Sequence, residues 1–141
     1  MDLIDAYDLY LAGEVVEDPY KAAPDLEYVI YPEEEDYVWK MVVLPIDAVG
    51  ADLSLDATAG CTQEDEDARF ERIREWMSAK GVEVALKESP PIARMTDEFG
   101  LDLVDGRHRL ALAYQNGLRE VRMMLGAAPG WVPRCFVAPS R

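Results

Sequence analysis

The chain has 141 residues, half of them hydrophobic, and a formal net charge of −14 at pH 7. This length fits one domain, and the apolar content suffices for a core. No apolar run approaches the roughly 20 residues of a membrane-spanning helix, and the acidic start MDLIDAYD is unlike a secretory or mitochondrial signal. We therefore expect a cytoplasmic protein without a membrane partner, whose acidity disfavours DNA unless a local basic face is present.

The two cysteines and the single histidine indicate no metal or redox centre. Cys61 and Cys135 lie far apart in the sequence and form no paired motif. Reduced thiols fit a cytosolic protein, with a structural disulfide as the alternative. A structural zinc site is not expected, because it normally needs a set of paired Cys or His ligands.

Residues 1–38 form an acidic, tyrosine-rich N-terminal extension. They contain 12 acidic residues and one basic residue, and six of the seven tyrosines lie between Tyr7 and Tyr37. The spacing of apolar residues predicts a short amphipathic helix over Asp2–Leu11 that ends near Gly13. The extension is interpreted either as a solvated segment or as an acidic arm that binds a basic protein partner or covers an anion site.

The first predicted strand is Tyr37–Ile46, which is rich in Val, Tyr and Trp and ends at Pro45. The segment Asp47–Gly60 that follows is predicted to be a loop or a short helical turn. In a catalytic interpretation one aspartate of this loop orients a metal ion or accepts a proton, whereas the alternative is that they only keep the loop soluble. The aspartates concerned are Asp47, Asp52 and Asp56.

A helix is predicted over Thr62–Lys80, with Thr62 as its N-cap and acidic residues in its first turn. The alternation of apolar and acidic residues in Val82–Leu86 predicts a strand. Ile92–Met95 and Leu101–Val104 are predicted to pair as a hairpin across a polar loop. The residues expected to form the buried stripe of the helix are Phe70, Ile73, Trp76 and Met77.

The stretch Leu101–Met124, LDLVDGRHRLALAYQNGLREVRMM, predicts a strand, a turn, a helix, a second turn and a strand. Asp105 and Gly106 signal the first turn, and Asp105 is a candidate N-cap. Gly117 suits the left-handed position that ends the helix, and Glu120–Met124 forms the last strand. The residues predicted to give the helix an apolar face are Leu110, Ala111, Ala113 and Tyr114.

Arg107, His108 and Arg109 crowd the first turn of this helix. A helix N-terminus already carries a partial positive charge and free amide donors. Two arginines there are unfavourable unless an anion offsets them, and a bound phosphate would receive guanidinium, imidazole and backbone donors together. The alternative is that both arginines point into water.

The string DGRHRLALAYQNGLREV resembles the signature of the ParB/sulfiredoxin superfamily, in which a strand ends in a turn that opens a helix and holds nucleotide phosphates. Upstream, Val42–Ile46, Gly81 and Pro90–Ile92 resemble earlier elements of the family in the right order. The resemblance covers about Trp39–Leu125 and implies an α+β domain with a small mixed sheet and two main helices. The chain then divides into the extension over 1–38, a ParB/sulfiredoxin-like domain over 39–125, and a tail over 126–141 behind a flexible break at Leu125–Gly130.

The turn residues distinguish three branches of this superfamily. Sulfiredoxin carries its redox cysteine where this chain has Arg107, so a sulfinic-acid reductase is not implied. The chromosome-partitioning members carry Gly-Glu-Arg-Arg, bind a cytidine nucleotide and need a downstream DNA-binding region, for which this chain has no room. Kinases that resemble a free-serine kinase carry Asp-Gly-His-His-Arg, which is close to Asp105–Arg109, although Pro45–Asp47 stands where they have a Pro-His pair and a glutamate.

The resemblance implies a nucleotide-binding protein that performs phosphoryl transfer or nucleotide hydrolysis with ATP or CTP and Mg²⁺. In this interpretation Asp105 caps the helix, ligates Mg²⁺ and belongs to the catalytic set. Arg107 stabilises charge in the transition state. The residues expected to bind the phosphates are Gly106, Arg107, His108 and Arg109.

Two other classes of function stay open. A non-catalytic module would bind nucleotide or a phosphorylated partner while the acidic arm contacts a basic protein. One support is that the sequence defines no catalytic base beyond the candidates Asp47, Asp52 and Asp56. The other is an uneven distribution of charge, because residues 1–66 contain 18 acidic and 2 basic residues, whereas residues 67–141 contain 10 acidic and 12 basic residues. The third class is a ParB-like nuclease, which the overall acidity disfavours.

Overall fold

The computed structural model describes residues 1–19, 36–49 and 62–134. Within these residues the chain forms a five-stranded mixed sheet and four helices, an α+β arrangement with more helices than the two main ones expected. None of these four helices combines the length and apolar character needed to cross a bilayer. The helices are α1 (Leu3–Ala12), α2 (Gln63–Lys80), α3 (Val82–Glu88) and α4 (Arg107–Gln115). The strands are β1 (Glu14–Val16), β2 (Val38–Pro45), β3 (Ile92–Thr96), β4 (Gly100–Asp105) and β5 (Glu120–Ala127).

The order of the strands brings two chain segments to one end of the sheet. The order is β1-β2-β5-β3-β4, and every neighbouring pair is antiparallel except β3 and β5. Consequently β2 and β4 run in the same direction, and the carboxyl ends of both strands lie at the same end of the sheet. The 3₁₀ turn Ile46–Val49 that follows β2 contacts β4. This turn carries Asp47, and β4 ends in Asp105, so the topology places both candidate residues at this end of the sheet.

The N-terminal helix belongs to the same core as the sheet. Asp2 caps α1, since its Oδ1 accepts a hydrogen bond from the Asp5 amide at 2.8 Å. Ala6 and Tyr10 are buried in the cluster that also contains side chains of β2, β3 and β5. After Gly13, β1 pairs with β2. The first 16 residues therefore contribute both a helix and an edge strand to the domain. The part of the extension over 20–35 lies outside the described residues.

Several local predictions are confirmed. The helix over Asp2–Leu11, the first strand and the long helix all form, and the Thr62 hydroxyl accepts from the Asp65 amide at 3.1 Å. The predicted hairpin forms between β3 and β4. Helix α4 also forms, but Tyr114 is 52% exposed and does not join its buried face. Capping residues and hydrophobic periodicity act over a few neighbouring positions, so the sequence alone is enough to predict these elements.

The predicted strand over Val82–Leu86 is wrong, because this stretch forms α3. Gly81 has a φ of 90°, which ends α2 and allows the chain to start a second helix, and its carbonyl accepts from the Ala85 amide at 2.9 Å. Ala85 and Leu86 are buried although they are adjacent, whereas Val84 is 50% exposed. Burial therefore follows the helical period and not the alternation that the sequence suggested.

The predicted break after Met124 is also wrong at its start, because β5 continues through Ala127. Gly126 pairs with Trp39 across the β2–β5 ladder. A Cβ atom at Gly126 would lie 2.6 Å from the Trp39 ring, so the glycine makes room for the indole. Gly126 is thus a packing residue within a strand rather than the start of a loop.

The hydroxyl of Tyr10 links α1 to the sheet. It donates to the Val38 carbonyl at 2.5 Å. Burial, reinforced by the neighbouring Tyr7, raises the pKa of Tyr10 above its ordinary value of 10.0. A phenol whose pKa is raised by folding contributes stability that is fully present below its unfolded pKa. That contribution is lost as the pH rises through the folded pKa.

We predict that Tyr10→Phe lowers the free energy of unfolding by about 1 kcal/mol at neutral pH, because one buried hydrogen bond is lost. The difference from wild type should shrink above about pH 10, where the wild type has a phenol at position 10 that ionises and the variant has none. Urea denaturation at about pH 7 and about pH 11 measures it. Tyr114→Phe, at an exposed position, is the control, and a wild-type advantage that stays constant over this range would contradict the prediction.

Candidate functional site

Gly106 forms the turn between β4 and α4. Its φ of 105° lies in the left-handed region, and a Cβ atom there would approach the Pro91 Cβ to 2.8 Å. Only glycine suits this backbone in this space. The Gly106 carbonyl accepts from the Leu110 amide at 2.9 Å, which starts the helix. The expected Asp105 cap is wrong, because Gly106 occupies the N-cap position and no side chain caps α4.

Arg109 fixes the shape of this turn from inside the protein. The residue is 8% exposed, and its Nη1 donates to the carbonyl and the Oγ of Ser89 at 2.5 and 2.6 Å. Its Nη2 donates to Asp105 Oδ2 at 3.1 Å. One guanidinium therefore holds together the segment before β3, the end of β4 and the first turn of α4. Its charge is offset by Asp105 within the fold.

Arg107 and His108 both contact a buried carboxylate, Glu66 in the first turn of α2. Glu66 is 4% exposed, and its Oε1 lies 2.6 Å from His108 Nε2. Arg107 Nη2 donates to the same oxygen. On the neighbouring turn of α2, the Phe70 ring lies 6.2 Å from the imidazole, centroid to centroid. The first turns of α2 and α4 therefore face each other across this shared oxygen.

The second terminal nitrogen of Arg107 differs from the first. Nη1 is buried and has no hydrogen-bond partner among the residues that the structure describes. A buried guanidinium N–H without an acceptor is costly, because water no longer solvates it. Arg107 is thus bound to Glu66 through Nη2, whereas Nη1 is buried without an acceptor among the described residues.

The charges at the turn balance within the fold. Glu66 offsets Arg107, and Asp105 offsets Arg109. With a neutral His108, these side chains carry no net charge. Positive potential at the site then comes from the α4 N-terminus and from the oriented donor of Arg107. The two arginines are therefore not the unbalanced charges that their position at a helix N-terminus suggested.

Of the three aspartates predicted after the first strand, the structure describes only Asp47. Asp47 is exposed in the 3₁₀ turn at the same end of the sheet as Asp105, and Asp52 and Asp56 lie outside the described residues. In the described part of the chain, no group of three or more His, Cys, Asp or Glu side chains is arranged to hold a metal ion. Asp105 is a single carboxylate already bound to Arg109. It fits a metal only where other ligands come from a bound molecule.

Glu66 was missed by the sequence analysis, although a signal for it was present. It precedes Phe70 by four residues and Ile73 by seven, so it lies on the predicted buried stripe of α2. A carboxylate on the apolar face of a helix needs a buried cationic partner. The sequence does not identify that partner, because Arg107 lies 41 residues further along the chain.

Comparison with protein-family models, curated proteins and solved structures found no match to this chain. The relationship to the ParB/sulfiredoxin superfamily therefore remains an expectation from the turn motif and the order of the elements.

We predict that Gly106→Ala destabilises the protein more than Gly117→Ala. Both glycines have positive φ, 105° and 85°, so each substitution costs about 1–2 kcal/mol of backbone strain. Only Gly106 also has neighbours in the way, Pro91 and Arg109, whereas nothing lies within 4 Å of a Cβ at Gly117. We expect overpacking to add about 1–3 kcal/mol at Gly106. Equal losses in chemical denaturation would contradict a close-packed turn.

We predict that Arg109→Ala lowers the free energy of unfolding by about 3 kcal/mol, because it leaves the Asp105 carboxylate and the Ser89 carbonyl without their buried donor. The control is Arg119→Ala, at an exposed position in the turn after α4, which should change stability by less than about 0.5 kcal/mol. Urea denaturation monitored by tryptophan fluorescence provides both values. A fully stable Arg109→Ala protein would show that this guanidinium is not structural.

Proposed function

We propose that the protein binds a nucleotide through its phosphates at the N-terminus of α4 and uses this site for phosphoryl transfer or nucleotide hydrolysis. The observation that carries the proposal is the buried Arg107 Nη1, which has no acceptor among the described residues. A phosphate oxygen would satisfy this donor with a charge-assisted hydrogen bond. Such bonds contribute about 1.5–3 kcal/mol each.

The backbone beside Arg107 supports the same ligand. Helix α4 has no side-chain cap within the described part of the chain, and the amides of Arg107 and His108 at its N-terminus suit an anion. Arg109 contributes indirectly in this proposal, because it holds the turn in shape while its own donors are bound to Ser89 and Asp105.

The balance of charge at the turn favours a ligand that arrives with its own cation. The paired side chains are neutral overall, so a polyphosphate without a counterion would meet little net attraction. Mg²⁺ binds one or two carboxylates together with phosphate oxygens. Asp105 is the acidic residue closest in sequence to Gly106 and Arg107, where the phosphate is proposed to bind. ATP and CTP with Mg²⁺ are therefore the nucleotides to test, as the resemblance implies.

A non-catalytic interaction module is the second candidate. The observation in its favour is that Arg107, His108 and Arg109 all have protein partners, so the fold needs no ligand to balance them. In this alternative the acidic N-terminal region would contact a basic protein. Binding of nucleotide without turnover would support it, and metal-dependent nicking of plasmid DNA would instead support the ParB-like nuclease.

We predict that Arg107→Gln weakens the binding of Mg²⁺–ATP or Mg²⁺–CTP by about tenfold or more, because one charge-assisted hydrogen bond to phosphate is lost. Isothermal titration calorimetry with folded protein measures the affinity. Arg72→Gln, at an exposed position of α2, is the matched control and should bind as wild type does. Wild-type protein that binds neither nucleotide would contradict the proposed function.

A further inference from the structure

His108 is the only histidine of the chain, and its two ring nitrogens have different surroundings. Nε2 lies 2.6 Å from Glu66 Oε1, and the histidine side chain is 12% exposed. Nδ1 has no hydrogen-bond partner within the part of the chain that the structure describes. The imidazole is thus anchored at one nitrogen and open at the other.

This anchoring determines where the proton sits on a neutral imidazole. An ionised carboxylate only accepts hydrogen bonds, so Nε2 must carry the hydrogen when it contacts Glu66. Nδ1 then presents a lone pair. A carboxylate that orients the imidazole of a general base is a recurrent arrangement in enzymes, since it fixes the tautomer and stabilises the imidazolium that forms.

The position of His108 relative to Arg107 connects this pair to the proposed ligand. Both side chains reach Glu66 Oε1, so the imidazole and the guanidinium lie side by side. The free donor of Arg107 is the group proposed to bind phosphate. A nucleophile that attacks this phosphate would therefore approach within the neighbourhood of the His108 ring.

We propose that His108 is the general base of the reaction and that Glu66 is its positioning residue, an inference that rests on the proposed function. The hydroxyl of water or of an alcohol acceptor attacks the γ-phosphorus of the nucleoside triphosphate while Nδ1 takes its proton. A new O–P bond forms, and the bond from the γ-phosphorus to the bridging oxygen breaks. Its electron pair leaves on the nucleoside diphosphate, and the imidazolium later returns its proton to solvent. Glu66 stabilises that imidazolium through Nε2–H.

The test combines three measurements on wild type, Glu66→Gln, His108→Gln and the control Glu64→Gln, which alters an exposed carboxylate of the same turn. Nitrogen-15 NMR reports the tautomer without ambiguity, because there is one histidine. Calorimetry with Mg²⁺–ATP and Mg²⁺–CTP reports binding, and phosphate release or transfer reports turnover.

We expect the neutral wild-type ring to be protonated at Nε2, and Glu66→Gln to weaken this preference, because an amide can either donate or accept. Turnover should fall about 100-fold or more in His108→Gln and in Glu66→Gln. Nucleotide affinity should be retained in His108→Gln and should fall by less than turnover in Glu66→Gln, because Glu66 also holds Arg107. Glu64→Gln should match wild type in all three measurements.

Other outcomes would overturn the inference. Unchanged turnover in His108→Gln would exclude it as the base, and equal loss of affinity and turnover in Glu66→Gln would make Glu66 part of the binding site only. Wild-type protein that binds without turnover would overturn the base and leave nucleotide binding intact, whereas absence of binding would overturn both. Should Glu66→Gln not fold, a wild-type ring protonated at Nδ1 would still overturn the inference.

Discussion

The buried guanidinium of Arg109 is the interaction on which the candidate site depends. It binds Ser89 before β3 and Asp105 at the end of β4, and it belongs to the first turn of α4. A long cationic side chain is well suited to this position, since its forked donors reach several acceptors while Asp105 offsets its charge. The turn at Gly106 can be tight because Arg109 and Pro91 close around it.

Glu66 adds a second constraint from outside this turn. It connects α2 to α4 by one oxygen that accepts from Arg107 and lies within hydrogen-bond distance of His108 Nε2. A buried carboxylate is destabilising on its own and is tolerated only with such partners. Replacing the set by apolar residues would give a simpler core, so its presence is consistent with a chemical role at this position. The same contact directs one arginine nitrogen and one imidazole nitrogen away from the carboxylate.

The sequence predicts the parts of this site that depend on neighbours along the chain. Thr62 indicates the start of α2, and Asp105-Gly106 indicates the turn before α4, because capping and turn residues act over a few positions. Glu66 could not be paired with Arg107 from local pattern, since their contact is made by tertiary packing. The sequence of Val82–Leu86 predicts a strand because a short alternation of apolar and acidic residues fits both the strand and the helix period, and only burial distinguishes them. Gly126 looked like a break because its partner, Trp39, lies on a distant strand.

Helix α1 packs against β2 and also against β4, which ends only at Asp105. During synthesis α1 leaves the ribosome before β4, so the surface that receives α1 stays incomplete until β4 has been made. Until then Ala6 and Tyr10, which the native fold buries, have no core to enter. The packing of α1 is therefore completed late, and contacts of such long sequence separation slow the final closure of the domain.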